Sequence, residues 1–264
     1  MSRPKIIDTF MFNDELDMLE CRLTEIGDVV DWVVIVEADV THQDRPKPFH
    51  FLDNADRYAP WLDKIVHVKA SDLPSFDANQ DHWSRENAQR EFVTHGLDKI
   101  GVSADDIILH GDVDEIPRAF HTRTLRPSGL ISFGMRFHCF AVDWLHPERW
   151  QGTVAGTAGT VKALGNGCMS RMRDTRNFAP CPPHMHDAGW HFSWVGGNEY
   201  GWRKLAAFCH PEIERQVRDG LAADTFYRDG WHVDGTKLKP VNLDDTWPQW
   251  ITTGHCPDVW FRPR

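Results

Sequence analysis

Cysteine pairs, tyrosine and long apolar runs are scarce in this sequence, and each scarcity removes a class of protein. The six cysteines (Cys21, Cys139, Cys168, Cys181, Cys209, Cys256) are widely spaced without a C-x-x-C pair, so free thiols are expected rather than a zinc knuckle or a disulfide scaffold. No apolar stretch approaches the ~20 residues that cross a bilayer. The first residues, Met1-Ser2-Arg3-Pro4-Lys5, run straight into Ile6-Ile7-Asp8-Thr9-Phe10 without a secretory apolar region. A soluble, cytoplasmic chain with no transmembrane segment is the expectation. No long Lys/Arg block offsets the formal net charge of −10, so binding to bulk nucleic acid is not expected.

What is present is an ordinary globular composition: 264 residues, 41% hydrophobic and 26% charged, enough for one sizeable core and read as one domain over 1–264. Against three tyrosines stand 12 tryptophans and 15 histidines. Indole faces suit sugars and nucleobases as well as cores, the core being their commoner place.

Strand and helix signals alternate through the first half, the pattern of βαβ units and a mainly parallel sheet flanked by helices. Residues 5–10 read as a strand. A helix follows, with Asp14 as its N-cap, Leu16, Leu19, Leu23 and Ile26 on one face, and Gly27 as its stop. Trp32-Val33-Val34-Ile35-Val36 reads as a strand buried on both faces. Strands at 65–68 and 107–109 and a helix at 82–97 continue the pattern. Beyond residue 127 come a β-like stretch (130–144), a Gly/Thr-rich turn or loop (152–159), an amphipathic helix (201–221) and an aperiodic C-terminal segment.

The strand at 107–109 runs out into Asp112-Val113-Asp114-Glu115-Ile116-Pro117. In open α/β sheets ligands sit at the carboxyl ends of strands, and two carboxylates there suit a hard cation such as Mn²⁺ or Mg²⁺ holding a diphosphate. Two further clusters carry chemistry-bearing groups: His184-Met185-His186-Asp187-Ala188-Gly189-Trp190-His191-Phe192-Ser193-Trp194, and Trp83-Ser84-Arg85-Glu86-Asn87-Ala88-Gln89-Arg90, whose arginines suit phosphates or acidic neighbours.

Taken together, these segments resemble glycosyltransferase family 17, the group of the eukaryotic bisecting N-acetylglucosaminyltransferase and soluble microbial relatives. The resemblance rests on Ile7-Asp8-Thr9-Phe10-Met11-Phe12-Asn13-Asp14-Glu15, on Val30-Asp31-Trp32-Val33-Val34-Ile35-Val36-Glu37-Ala38 with Thr41-His42, on Trp83-x-Arg85-Glu86 with Arg90, and on the Asp112 and Trp190 motifs. It continues through residues 204–210, Asp229-Gly230-Trp231 and Asp234-Gly235-Thr236. It implies a soluble microbial or viral member, a GT-A-type α/β domain with a nucleotide-sugar-binding half (1–127) and an acceptor-side half (128–264), and an inverting mechanism. It also implies a UDP-sugar donor, N-acetylglucosamine first, and an acceptor hydroxyl on a glycan, lipid-linked sugar, protein or small molecule.

By the same resemblance Asp112 and Asp114 hold the metal, with His191 a later ligand. Asp8, Phe10, Glu37, Arg85 and Asp112 line the nucleotide-sugar pocket. An inverting transfer needs a base for the acceptor proton, for which Asp187 and Glu115 are the candidates. Two other readings use the same residues. A metal-dependent phosphohydrolase or nucleotidyltransferase needs a second ligand set, which the acids beside Asp112 and Asp114 do not form. A non-enzymatic carbohydrate-binding protein explains the tryptophans and leaves the Asp112/Asp114 turn unexplained.

Overall fold

The computed structural model describes residues 3–75, 83–178, 180–208, 210 and 213–264. In chain order the first half contains β1 (Ile6–Phe12), α1 (Leu16–Ile26), β2 (Trp32–Ala38), α2 (His50–Asp53), β3 (Ile65–Ala70), α3 (Trp83–Glu91), α4 (Val93–Ile100), β4 (Ile107–Asp112), β5 (Glu115–Pro117) and α5 (Ala119–Thr124). The second half contains β6 (Ile131–Cys139), β7 (Trp144–Thr157), α6 (Ala158–Lys162), α7 (Cys168–Asp174), β8 (His184–Ser193), α8 (Gly197–Leu205), α9 (Glu214–Ala222), β9 (Lys239–Pro240) and α10 (Gln249–Thr252).

The nine strands of the described residues join one sheet in the order β3-β2-β1-β4-β7-β6-β8-β5, with β9 on β7. Strands β3, β2, β1 and β4 are parallel, as the βαβ pattern requires. The second half makes the sheet mixed: β7 runs antiparallel to β4 and β6, β8 parallel to β6, and β5 antiparallel to β8. On β2, Val33 and Ile35 enter the core on one side of the sheet while Val34 and Val36 enter the core on the other. A fully buried Val or Ile contributes about 1.5–3 kcal/mol, so this strand anchors both layers.

Several local expectations are corrected. Asp14 does not cap α1. Glu15 occupies that position, and its carboxylate turns back to accept from the backbone N–H groups of Asn13 and Asp14 at 3.0 and 3.1 Å. Gly27 does stop the helix, as its C-cap, but with a right-handed φ of −57°, and it is small because a Cβ there would lie 2.5 Å from the Trp61 ring nitrogen. The helix expected over 82–97 is two helices, α3 and α4, with His82 outside the described residues. The helix over 201–221 is also two, α8 and α9, with Pro211, which fits no helix interior, between them in the sequence. The Gly/Thr-rich stretch 152–159 is no exposed turn: residues 152–155 are buried inside β7, and Val154 pairs with His110 of β4. A side chain at Gly152 would collide with Met135 on neighbouring β6.

Among the described residues no helix is long and apolar enough to cross a membrane, and the described cysteines are all unpaired.

Candidate active site

A cavity of about 540 Å³ opens where β1, β2 and β4 end, the edge at which parallel α/β sheets bind ligands. The first half lines it with Phe12, Asn13, Glu15, His42, Lys47, Asp112 and Asp114. The second half supplies Phe137, Trp150, His191, Trp194, Lys204 and the groups around His232.

The loop carrying Asp112 and Asp114 is held from beneath. Asp8 on β1 forms a two-pronged ion pair with Arg22 of α1, at 2.6 and 2.7 Å, and both side chains are fully buried. The remaining guanidinium nitrogen of Arg22 donates to the backbone carbonyls of Asp112, Val113 and Glu115 at 3.1, 3.4 and 2.6 Å. The Glu115 carbonyl also accepts from the Thr153 hydroxyl at 3.2 Å, and a buried carbonyl left without any donor costs about 1–3 kcal/mol. Asp8 therefore fixes the loop through Arg22 and is not on the cavity wall. Phe10 lies in the core with Arg22 stacked over its ring at 4.6 Å.

Asp112 and Asp114 differ in surroundings. The Asp112 carboxylate accepts from Arg90 at 3.1 Å, with Arg173 and Arg176 at 3.6 and 3.7 Å. Burial would raise its pKa, but Arg90 first and then the other two arginines hold it well below the usual carboxylate range. Asp114 faces Lys204 of α8 at 3.3 Å and His191 Nε2 at 3.5 Å. Against burial, these neighbours, Lys204 foremost, bring its pKa to about 2.

Strand register brings His191 to this place. The β5–β8 ladder pairs Glu115 with His191, and the backbone N–H of Phe192 donates to the carbonyl of Asp114 at 2.9 Å. Alternation along β8 then sends Trp190 and Phe192 into an apolar cluster and His191 into the cavity. The His191 ring stacks on Phe137 at 5.0 Å and 5°, and its buried Nδ1 has no hydrogen-bond partner.

The remaining sequence candidates lie off the cavity wall. Glu37 is fully buried and binds Lys47 at 2.9 Å, His67 at 3.1 Å and the backbone N–H of Phe51 at 3.2 Å, so it orders the segment that delivers Lys47 to the cavity. Arg85 pairs with Asp44 at 2.8 Å. Glu115 has no exposed surface: it accepts from Trp150 at 2.7 Å, Arg176 at 2.6 Å and the backbone N–H of Asp112 at 3.2 Å. Asp187 lies among Arg118, Arg136 and Arg149 at 2.9–3.1 Å, with 42% of its side chain exposed. Burial opposes the shift, but these arginines, Arg136 foremost, lower its pKa, which weakens it as a base.

Two cavity groups escaped the sequence reading. Glu15 faces Lys204 and Asp114, and burial first, then the charge of Asp14, pushes its pKa up to about 7. Lys204 keeps a raised pKa against its burial because Asp114 and Glu15 stand beside it. Their only sequence signal was membership in matched motifs. Both depend on α8 reaching the Asp14 segment before α1 and the Asp114 loop after β4.

The family model described as "Glycosyltransferase family 17" matches residues 1–218. The chain is similar to the β-1,4-mannosyl-glycoprotein 4-β-N-acetylglucosaminyltransferases of Rattus norvegicus and Homo sapiens, 25% and 26% identical over 88% of the chain. It spans about half the length of these curated relatives, 49% in each case. Among solved structures it is similar to 4-diphosphocytidyl-2C-methyl-D-erythritol synthase (TM-score 0.40, 12% identity, 71% of this chain and 90% of that one). It is also similar to a glycosyltransferase of Streptococcus pneumoniae TIGR4 (TM-score 0.36, 11% identity, 83% and 51%). The chain belongs to glycosyltransferase family 17.

Proposed function

We propose that the cavity transfers N-acetylglucosamine from UDP-N-acetylglucosamine to a saccharide hydroxyl with inversion at the anomeric carbon. The observation that carries this reading is the convergence of Asp114, His191, Lys204 and Glu15 at the end of β4 in a chain of this family. The sugar and acceptor class are supported by the names of the relatives, and the aromatic walls Phe137, Trp150 and Trp194 suit stacking on pyranose rings.

Asp114 and His191, with Asp112 behind them, fit a divalent cation. They offer hard oxygen and one imidazole, whose Nε2 faces the Asp114 carboxylate at 3.5 Å. When bound, such an ion neutralises charge on the departing diphosphate. The chain's own cations act in the same direction. Lys204 and Arg173 line the cavity, and Asp112 holds Arg173 from the side. Glu15 is the proposed base. It takes the acceptor O–H proton as the oxygen attacks C1 and the C1–O bond to the diphosphate breaks, the bond electrons leaving with UDP. A carboxylate whose pKa sits near neutrality is matched to that task, and Asp187 and Glu115 lack its access.

A melting experiment tests the reading. UDP should raise the melting temperature with Mn²⁺ present and far less in EDTA, because only ligands of the native state stabilise it. Equal stabilisation in EDTA would assign the diphosphate to Lys204 and Arg173 alone.

A further inference from the structure

On the acceptor side of the cavity, three side chains unused by the proposed reaction point at one another: His146 of β7, and His232 and Asp234 from the segment between α9 and β9. One ligand atom from each lies within 4.8 Å of the other two. His146 Nε2 is 3.6 Å from one Asp234 oxygen, and His232 Nδ1 is 2.9 Å from the other. The His232 nitrogen is held to Asp234 as an ion pair, whereas the buried Nε2 of His146, whose side chain is only 4% exposed, makes no hydrogen bond. A buried ring nitrogen left without a partner beside such a pair points to a ligand all three side chains share.

We propose that His146, His232 and Asp234 form a second cation site, for a divalent transition-metal ion of the zinc, cobalt or manganese class. With metal–ligand distances near 2.1 Å, ligand atoms stand about 3.0–3.4 Å apart in octahedral or tetrahedral geometry, a range that falls between the 2.9 and 3.6 Å separations of Asp234 from the two imidazoles. Two imidazoles and one carboxylate select such ions over Mg²⁺ or Ca²⁺. Asp234 is preset for the role, since its Oδ1 accepts from the Thr236 backbone N–H at 2.8 Å. With 52% of its side chain exposed, it also leaves solvent a route to the ion.

His146 Nδ1 accepts from the Glu148 backbone N–H at 3.2 Å, which favours a ring proton on Nε2. Coordination through Nε2 selects the other tautomer and gives up this one contact between near neighbours, a small loss against a metal–imidazole bond. The site is separate from Asp114 and His191, although the Phe137 ring touches both His146 and His191 at 5.0 Å. An ion there ties the segment before β9 onto β7 and so fixes the acceptor-side wall.

The test is Co²⁺ titration of tag-free, metal-stripped protein without nucleotide, followed by its visible ligand-field absorption, with Zn²⁺ thermal melts alongside. Wild type should bind Co²⁺ and gain melting temperature with Zn²⁺, and Asp114→Asn should keep this site, losing at most the ion held at Asp114 and His191. His232→Ala and Asp234→Asn should weaken binding beyond the ~10–100-fold that follows loss of a second-shell partner, and should show no Zn²⁺ shift. Asp234 is half exposed, so its variant keeps the fold and serves if His232→Ala does not. No uptake by wild type, unchanged affinity in Asp234→Asn, or loss confined to Asp114→Asn would each overturn the proposal. None of these readouts depends on glycosyl transfer.

Discussion

The two halves of the sheet contribute to the cavity by different physical routes. In the first half, Asp112 and Asp114 are carried at the end of a central parallel strand and clamped from below by the buried Asp8–Arg22 pair. In the second half, His191 arrives through antiparallel register, Lys204 through packing of α8, and His232 and Asp234 through the segment before β9. Both routes join residues far apart in sequence, but the first wall is pinned by a fully buried ion pair beneath parallel strands, whereas the second is assembled by antiparallel register and helix packing.

The largest expected effect breaks the pinned wall. Arg22→Met leaves the buried Asp8 carboxylate unpaired, a loss of about 3–5 kcal/mol, and frees the carbonyls of the Asp112 loop. Denaturant unfolding should report that loss together with loss of donor turnover. Unchanged stability would mean that the clamp is not what holds this half.

Next comes Glu15→Gln, expected to lower kcat by about 10²–10⁴-fold, the range for a positioned base. In wild type the rate should rise with pH through about 7, a dependence the variant loses. The stability sign is opposite. A folded pKa of about 7 above the ordinary 4.5 favours the folded state below 4.5, and that advantage disappears as pH rises through 7. The variant should therefore melt higher than wild type at pH 8 relative to pH 5. A parallel pH–rate profile in the variant would remove Glu15 from the chemistry.

A smaller effect probes the assembled wall. His191→Ala should weaken the apparent Mn²⁺ affinity of donor turnover by about tenfold or more, since imidazole suits Mn²⁺ better than Mg²⁺, a larger effect than the stability lost with a buried ring packed on Phe137 and Trp150. A large stability loss at constant metal affinity would make His191 a packing residue. Smallest of all is Asp187→Asn. This carboxylate is 42% exposed among arginines, where ion pairs are worth about 0–1 kcal/mol, and kcat should change by less than about threefold if Asp187 is not the base.

Legibility in the sequence follows the same division. The parallel strands and α1 were readable because apolar residues recur at the right period, and the strand-end placement of Asp112 and Asp114 followed from β4 alone. His191 was readable because strand alternation between Trp190 and Phe192 leaves it facing the other way. The roles read onto Asp8 and Glu37 differ from their places in the structure. Both are carboxylates in strand interiors that pair with Arg22 and Lys47 from other elements, and one strand's pattern does not say whether a buried acid faces a ligand or a cation. Residues 152–159 misled because glycine and threonine suggest a turn, while here the glycines make room for Met135 and Leu130 against β7. Glu15 was hidden by its neighbour Asp14, the better N-cap by composition. Family membership separates the glycosyltransferase reading from the phosphohydrolase and carbohydrate-binding readings that shared its residues.

The most direct test of the central claim is UDP release from UDP-N-acetylglucosamine by the purified chain with Mn²⁺, measured for wild type and Asp114→Asn. Release by wild type, its loss in EDTA, and a drop of about 10²–10³-fold in Asp114→Asn with an unchanged melting curve are the predicted results. Equal release by the variant, or full release in EDTA, would contradict the account.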